Sequence, residues 1–280
     1  MIETLWPYLA AALAGVGAGV VNAVVGSGTL ITFPVLLMLG VPPVSANMTS
    51  SLGLLAGNIS AIPGYRSAIS QSRQLLPLLA PASLIGGAVG AVALLFLPSS
   101  VFDAIVPILV IAALVLVALG PQIQRAIRKR VERRTGQPGP TGHTNCTSHT
   151  DATPGTTTSI VLVPAAVLAI LVGLTGVYGG YFGAAQGVLL LGLLGIATAV
   201  PLSTVNGLKV VLVMLVNLVC ALVFVLTASD RIDWWFTLAI ACGAIIGGVL
   251  GAQIGRNLPS SVLRAVVIVV GVIALVVLLT

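Results

Sequence analysis

The sequence predicts an all-α membrane protein, a polytopic helical bundle of two inverted-topology repeats with broken or re-entrant helices. Three observations predict it. Of 280 residues, 58% are hydrophobic and only 6% charged, with a mean hydropathy of +1.17, whereas a soluble domain carries roughly 25% charged residues. Nearly uncharged runs recur along the chain at the length of about 20 residues that a lone helix needs to cross hydrocarbon, and the period-2 alternation of a barrel is absent. The chain is also written twice. IGGAVGA at residues 85–91, followed by LPSSVFDAIV at 97–106, returns as IGGVLGA at 246–252 and LPSSVLRAVV at 258–267; about half the positions between 84 and 106 are identical at a constant offset of 161.

Each repeat offers five apolar segments. In the first repeat, residues 1–120, they fall near 5–25, 29–40, 47–64, 75–97 and 102–119; in the second, residues 160–280, near 160–177, 186–197, 204–227, 234–255 and 262–280. No Lys or Arg precedes the first apolar run, so it lacks the basic start of a secretory signal and is read as a membrane segment. The second segment of each set is too short to span: a helix of 12 residues rises about 18 Å against a core of about 30 Å. Between the repeats, residues 121–159 form a basic, flexible linker. The block RAIRKRVERR at 125–134 opens it, and the Gly/Pro/Ser/Thr-rich stretch that follows has little to bury.

Loop cations set the orientation. With the basic block in the cytoplasm, Arg66, Arg73, Arg256 and Arg264 also fall inside, while residues 98–101 and 229–233 and both termini fall outside. An odd number of segments per repeat then inverts one repeat relative to the other, the arrangement of secondary transporters. The protein is placed in the cytoplasmic membrane as a multi-pass chain. The net charge of +6 is concentrated beside a membrane segment, which reads as a topology signal or a contact with membrane lipid and not as a nucleic-acid surface. Three cysteines, Cys146, Cys220 and Cys242, show no paired spacing.

Two stretches break the apolar pattern at matching places. VVGSGTLITFP, residues 24–34, carries Gly26, Ser27 and Gly28; YFGAAQGVLLL, residues 181–191, carries Gly183, Gln186 and Gly187, with Gly26 matching Gly183. Unwound backbone inside a membrane persists only where protein buries it or water reaches it. The N–H groups that start each following half-helix present a positive dipole, so paired breaks predict an anion site. The plainer reading of such glycines is close helix packing. The third segments add a polar stripe: Asn47 and Asn58 are eleven residues apart, as are Asn206 and Asn217, almost three helical turns, so each pair shares a face. Ser50 lies near that face, and Lys209 stands in its place in the second repeat.

A lysine inside a membrane helix costs about 2.5 to 3.5 kcal/mol to insert and usually faces a cavity or a partner. The six acidic residues, Glu3, Asp103, Glu132, Asp151, Asp230 and Asp233, all fall in loops or at segment ends. Lys209 is therefore read either as snorkelling to the interface or as the charge opposite a bound anion, and the asparagines as interhelical bonds or as donors to that anion. The missing intramembrane carboxylates argue against a cation channel and against a sodium or proton pump. No membrane serine has a histidine beside it to act as base, so no enzyme is predicted. His143, Cys146 and His149 make a weak ligand set inside the linker; neither a metal nor a cofactor is expected.

The paired breaks, the segment ending in Gly40 before VPPVSANMTSS, the GVYGGYFGAAQG stretch at 176–187, the TASDRIDWW turn before GGVLGAQIGRNLP, and the duplication together resemble the TauE/SafE sulfite exporter family. The resemblance covers nearly all of the chain except the linker. It implies a secondary transporter that moves a sulfur oxyanion, sulfite, or a small organosulfonate, with export as the expected direction. An anion channel for small inorganic anions is the alternative. The expected partners are a small anionic substrate and membrane lipid, with homo-oligomerisation left open. The expected site comprises Gly26, Ser27, Gly28, Asn47, Ser50, Asn58, Gly183, Gln186, Gly187, Asn206, Lys209 and Asn217.

Overall fold

Helices begin and end where the punctuation residues direct. α1, Ile2–Val24, closes with the Gly26 N–H on the Val21 carbonyl at 3.1 Å, Gly26 taking a φ of +82°. Only glycine adopts that conformation without cost. α2, Thr29–Met38, ends in a Schellman motif around Gly40: the Val41 N–H donates to Leu36 at 3.0 Å and the Gly40 N–H to Leu37 at 2.9 Å. α3, Pro43–Ala61, starts with proline in its first turn, where no N–H is missed. A 3₁₀ turn, Ile62–Tyr65, and a short α4, Arg66–Gln71, lead to α5, Leu76–Phe96. In the second half, α7 is Ala165–Tyr181, α8 is Gln186–Ala197 and α9 is Leu202–Thr227. α10, Trp234–Ile254, is capped by Asp233, whose Oδ1 accepts the N–H groups of Trp235 and Phe236 at 3.1 Å.

The computed structural model describes residues 2–96, 98–135, 163–198 and 200–254, together with 265, 267–270, 272 and 275. Among them every regular element is a helix. The chain is an all-α, multi-pass membrane protein: Leu5–Val24, Leu76–Phe96, Leu202–Thr227 and Trp234–Gln253 are each long and apolar enough to span. The second segments are short, as expected. One boundary differs from the sequence reading: α6, Ser99–Thr135, continues as helix through the basic block, whose Ala, Arg, Lys and Glu are good helix formers. Residues 136–162, which hold the rest of the linker and His143, Cys146 and His149, lie outside the described residues, as does most of the last segment.

Close packing follows the small residues. A Cβ on Gly247 of α10 would run into the Val16 carbonyl of α1, and a Cβ on Gly86 of α5 into the Gly173 carbonyl of α7. Gly247 and Gly86 are duplicates in the sequence, and Val16 and Gly173 are related by the same offset that relates Gly26 to Gly183. The two halves therefore exchange equivalent contacts. α1 runs parallel to α10, with Gly15 against Ile240 and Gly251 against Val20. The third segments run opposite ways: Thr204, at the start of α9, donates to Gln71 at the end of α4, the short helix that follows α3, at 2.8 Å, while Thr49, in the first half of α3, accepts the N–H of Asp233 in the turn that follows α9 at 3.2 Å. A shared core includes Phe33 and Phe182, edge to face at 5.4 Å.

Candidate functional site

The two breaks meet. Gly187, in the first turn of α8, donates its N–H to the Gly26 carbonyl at 3.0 Å, and a Cβ on Gly26 would stand 2.5 Å from the Gly187 Cα. Backbone thus lies on backbone, which two glycines allow and larger residues forbid. Both breaks close by one device, because the Gly183 N–H, with φ +76°, donates to Tyr178 at 3.2 Å as Gly26 does to Val21. Ala185 takes a φ of +60° just before α8, a strained conformation for a residue with a Cβ.

Around this crossing the membrane core carries buried polar groups. Asn22 joins two of them: its Nδ2 donates to Asn58 Oδ1 at 2.6 Å, and its Oδ1 accepts the Gly28 N–H at 3.2 Å. Ser50 pairs its hydroxyl with that of Thr32. Ser27 is fully buried with no partner for its hydroxyl. Asn58 Nδ2, Asn47 Oδ1 and Gln186 Nε2 are likewise buried and unpaired. A buried polar atom without a partner costs about 1–3 kcal/mol, so several together at one place require an explanation such as a ligand or water site.

Each broken helix is capped from the opposite half. The amide of Asn47, on α3, donates to the Tyr181 carbonyl at the end of α7 at 2.8 Å. Lys209, on α9, donates to the Val24 carbonyl at the end of α1 at 3.0 Å and reaches Ala23 at 3.5 Å. One end thus receives a neutral donor and the other an ammonium. Lys209 is fully buried, so it does not snorkel, and among the described residues no carboxylate partners it.

The structure thus brings Gly26, Ser27, Gly28 and Asn58 together at the first break, places Gly187 against Gly26, and sets Asn47 and Lys209 on the two helix ends. Gln186 folds over Gly179, where a Cβ would collide with it. Asn217 is buried on α9, but among the described residues no contact ties it or Asn206 to either break. The Gly28 and Gly187 N–H groups, expected to face an anion, are engaged internally, by Asn22 and Gly26. Asn22 and Thr32 escaped the sequence reading. The signal for Asn22 was present, since it is the one amide in the apolar run from Leu9 to Val25. Asn22→Ala would orphan both the Asn58 carbonyl oxygen and the Gly28 N–H. We expect it to cost about 2–6 kcal/mol, from about 1–3 for each group, and to lower the melting temperature well below that of Asn217→Ala.

A cavity of about 510 Å³ lies elsewhere, between α6, α7 and α8, and is lined by Leu116, Leu171, Leu174, Tyr178, Val188 and Ile196 among others. Its walls are apolar and hold no cation.

Apolar helices broken in pairs, with the breaks crossing inside the bundle, define a class: multi-pass membrane proteins with discontinuous helices. The chain belongs to the TauE/SafE sulfite exporter family, whose description, "Sulfite exporter TauE/SafE", matches residues 11–278. It is 34% identical over 107 residues to a probable membrane transporter protein, ORF9, of Sinorhizobium sp., a match covering 38% of this chain and 41% of that protein. It is 31% identical over 115 residues to the probable membrane transporter protein YfcA of Escherichia coli K12, covering 40% of this chain and 42% of that one. The chain thus spans about two fifths of the length of the curated relatives it matches. No solved structure matches it.

Proposed function

We propose that this protein is a secondary transporter that moves a small sulfur oxyanion, sulfite, or an organosulfonate across the cytoplasmic membrane, in the direction of export. The observation that carries the reading is Lys209, a fully buried ammonium held by two carbonyls and by no carboxylate among the described residues. Carbonyl dipoles ease its burial but leave a unit charge, and a unit charge in low dielectric calls for an opposite one. A small anion between the breaks supplies it. Neutral groups nearby, Ser27, Asn58 Nδ2 and Gln186 Nε2, are unpaired donors suited to oxyanion oxygens. Neutral donors also suit release, which a transporter needs as much as binding.

The Gly26–Gly187 contact is the closed state of the pathway in this reading. When the breaks part, the Gly187 N–H loses its partner and becomes available to the anion. The opposite directions of α3 and α9 support inverted repeats, in which rocking one repeat against the other opens the site to alternate sides. Family membership and the relatives' description as probable membrane transporters point the same way.

The test is thermal melting of the detergent-purified protein across sulfite, sulfate, thiosulfate, sulfoacetate and taurine, since stabilisation grows with the logarithm of ligand concentration over its dissociation constant. One of the sulfur anions should raise the melting temperature saturably, and reconstituted vesicles should show counterflow of that anion. Flat melting curves across the panel would sink the reading, and saturation-free conductance would convert it to a channel.

The proposed orientation makes a separate prediction, with residues 135–159 cytoplasmic and both termini outside. A single cysteine replacing Ser99 should react with an impermeant thiol reagent in whole cells, while Cys146 should react only after lysis. The reverse pattern would overturn the topology.

A further inference from the structure

The break after α1 deprives the Ala23 and Val24 carbonyls, among others, of their helical donors. In an unbroken helix Ala23 and Val24 would accept the N–H groups of residues 27 and 28, but the Gly28 N–H goes to Asn22 instead. Their oxygens stand at the negative end of a helix dipole. Into this place reach Lys209 Nζ, at 3.0 Å from the Val24 oxygen and 3.5 Å from the Ala23 oxygen, and the Tyr65 hydroxyl, at 2.8 Å from the Ala23 oxygen. The matching carbonyl of the other half, on Tyr181, is satisfied by the neutral amide of Asn47 at 2.8 Å. Hydrogen bonding alone therefore does not call for a charge at such an end. Yet the first half has an ammonium there, fully buried.

Secondary transporters commonly seat a coupling cation on the carbonyls of a discontinuous helix's C-terminal end. We infer that the Lys209 ammonium is a tethered cation holding that position, so that the protein binds and moves its anion without a free monovalent metal ion, and that removing the side chain uncovers a latent site for one. The Val24 and Ala23 oxygens and the Tyr65 hydroxyl are hard oxygen ligands of the kind Na+ and Li+ take, and the space vacated by a lysine side chain admits the ion with water. The inference rests on the transport reading for its meaning but not on the identity of the anion, and the experiment contains no sulfur oxyanion, with gluconate the common anion throughout, so failure of one leaves the other standing.

The full chain, purified in detergent, is melted in gluconate salts of sodium, potassium, lithium and choline at constant ionic strength. Wild type is expected to melt at the same temperature in all four. Lys209→Ala is expected to gain several degrees, saturably, in one small cation over choline, following the logarithmic dependence of stability on ligand concentration. Lys209→Ser, which adds a hydroxyl ligand, should do the same, and Lys209→Met, which fills the space with an apolar chain, should stay indifferent. Saturable stabilisation of wild type by sodium, potassium or lithium overturns the inference. So does indifference of a folded Ala or Ser variant to all three cations. Failure of both to fold in any salt while Lys209→Met folds overturns it as well.

Discussion

Lys209→Met is expected to weaken oxyanion binding by roughly 10- to 150-fold while leaving a folded protein. The loss follows from the kind of bond removed: a hydrogen bond to a charged group contributes about 1.5–3 kcal/mol, and every 1.4 kcal/mol is tenfold in affinity. Stability moves by opposing amounts. Methionine leaves the Val24 carbonyl without its donor, whereas Ala23 keeps the Tyr65 hydroxyl, so about 1–3 kcal/mol is lost for one orphaned acceptor. Removing a buried charge returns about 2.5–3.5 kcal/mol of insertion cost. The two nearly cancel, and yield and melting temperature without ligand should stay close to wild type. Ser50→Ala, at the matching position of the first repeat, should change affinity less than about tenfold, since only a neutral bond worth about 0.5–1.5 kcal/mol is involved. Binding measured by ligand-induced melting shifts decides between the two: full oxyanion stabilisation of a well-folded Lys209→Met removes the lysine from the site.

The architecture was legible in the sequence because membrane constraints are severe. An apolar run of 20 residues has few alternatives in lipid, and a glycine pair inside one announces unwound backbone that something must bury. Duplication sharpened this, since Gly26 and Gly183 mark the same turn twice and both turn out at positive φ. The absence of acidic residues from the apolar runs also singled out Lys209, which in the fold donates to the Val24 and Ala23 carbonyls. Partnerships between distant residues were not legible. Nothing near Gly28 or Gly187 tells that Asn22 and Gly26 take their N–H groups, because those bonds depend on how α1, α2 and α8 cross. The extension of α6 to Thr135 was hidden for a local reason: the apolar run ends near residue 119, and the helix formers of the basic block beyond it carry the helix on without an apolar face. Compensation across the halves was invisible too, since the sequence aligns Lys209 with Ser50 whereas in the fold Lys209 and Asn47 play the matching parts.

Gly26→Ala and Gly187→Ala are expected to force the breaks apart, and Gly40 provides the control that separates steric overlap from backbone strain. Gly26 and Gly40 have nearly the same φ, +82° and +83°, so alanine at either carries the left-handed penalty of about 1–2 kcal/mol. At Gly40 a Cβ meets nothing within 4 Å, whereas at Gly26 it stands 2.5 Å from the Gly187 Cα. Overpacking adds about 1–3 kcal/mol, and the lost Gly187 to Gly26 hydrogen bond about 0.5–1.5. Gly26→Ala should therefore destabilise by about 3–6 kcal/mol against about 1–2 for Gly40→Ala. Gly187→Ala lacks the strain and should fall between them. Because it stays nearer the wild-type fold, it also reports on function. If the crossing is the closure of the pathway, a cysteine replacing the buried Ser27 should resist a membrane-impermeant thiol reagent in the wild-type background and react in the Gly187→Ala background, where the breaks cannot close. Equal labelling in both, with both proteins folded, would mean that the glycine contact packs the bundle without gating it, and the closure would then have to be sought at another point of the pathway.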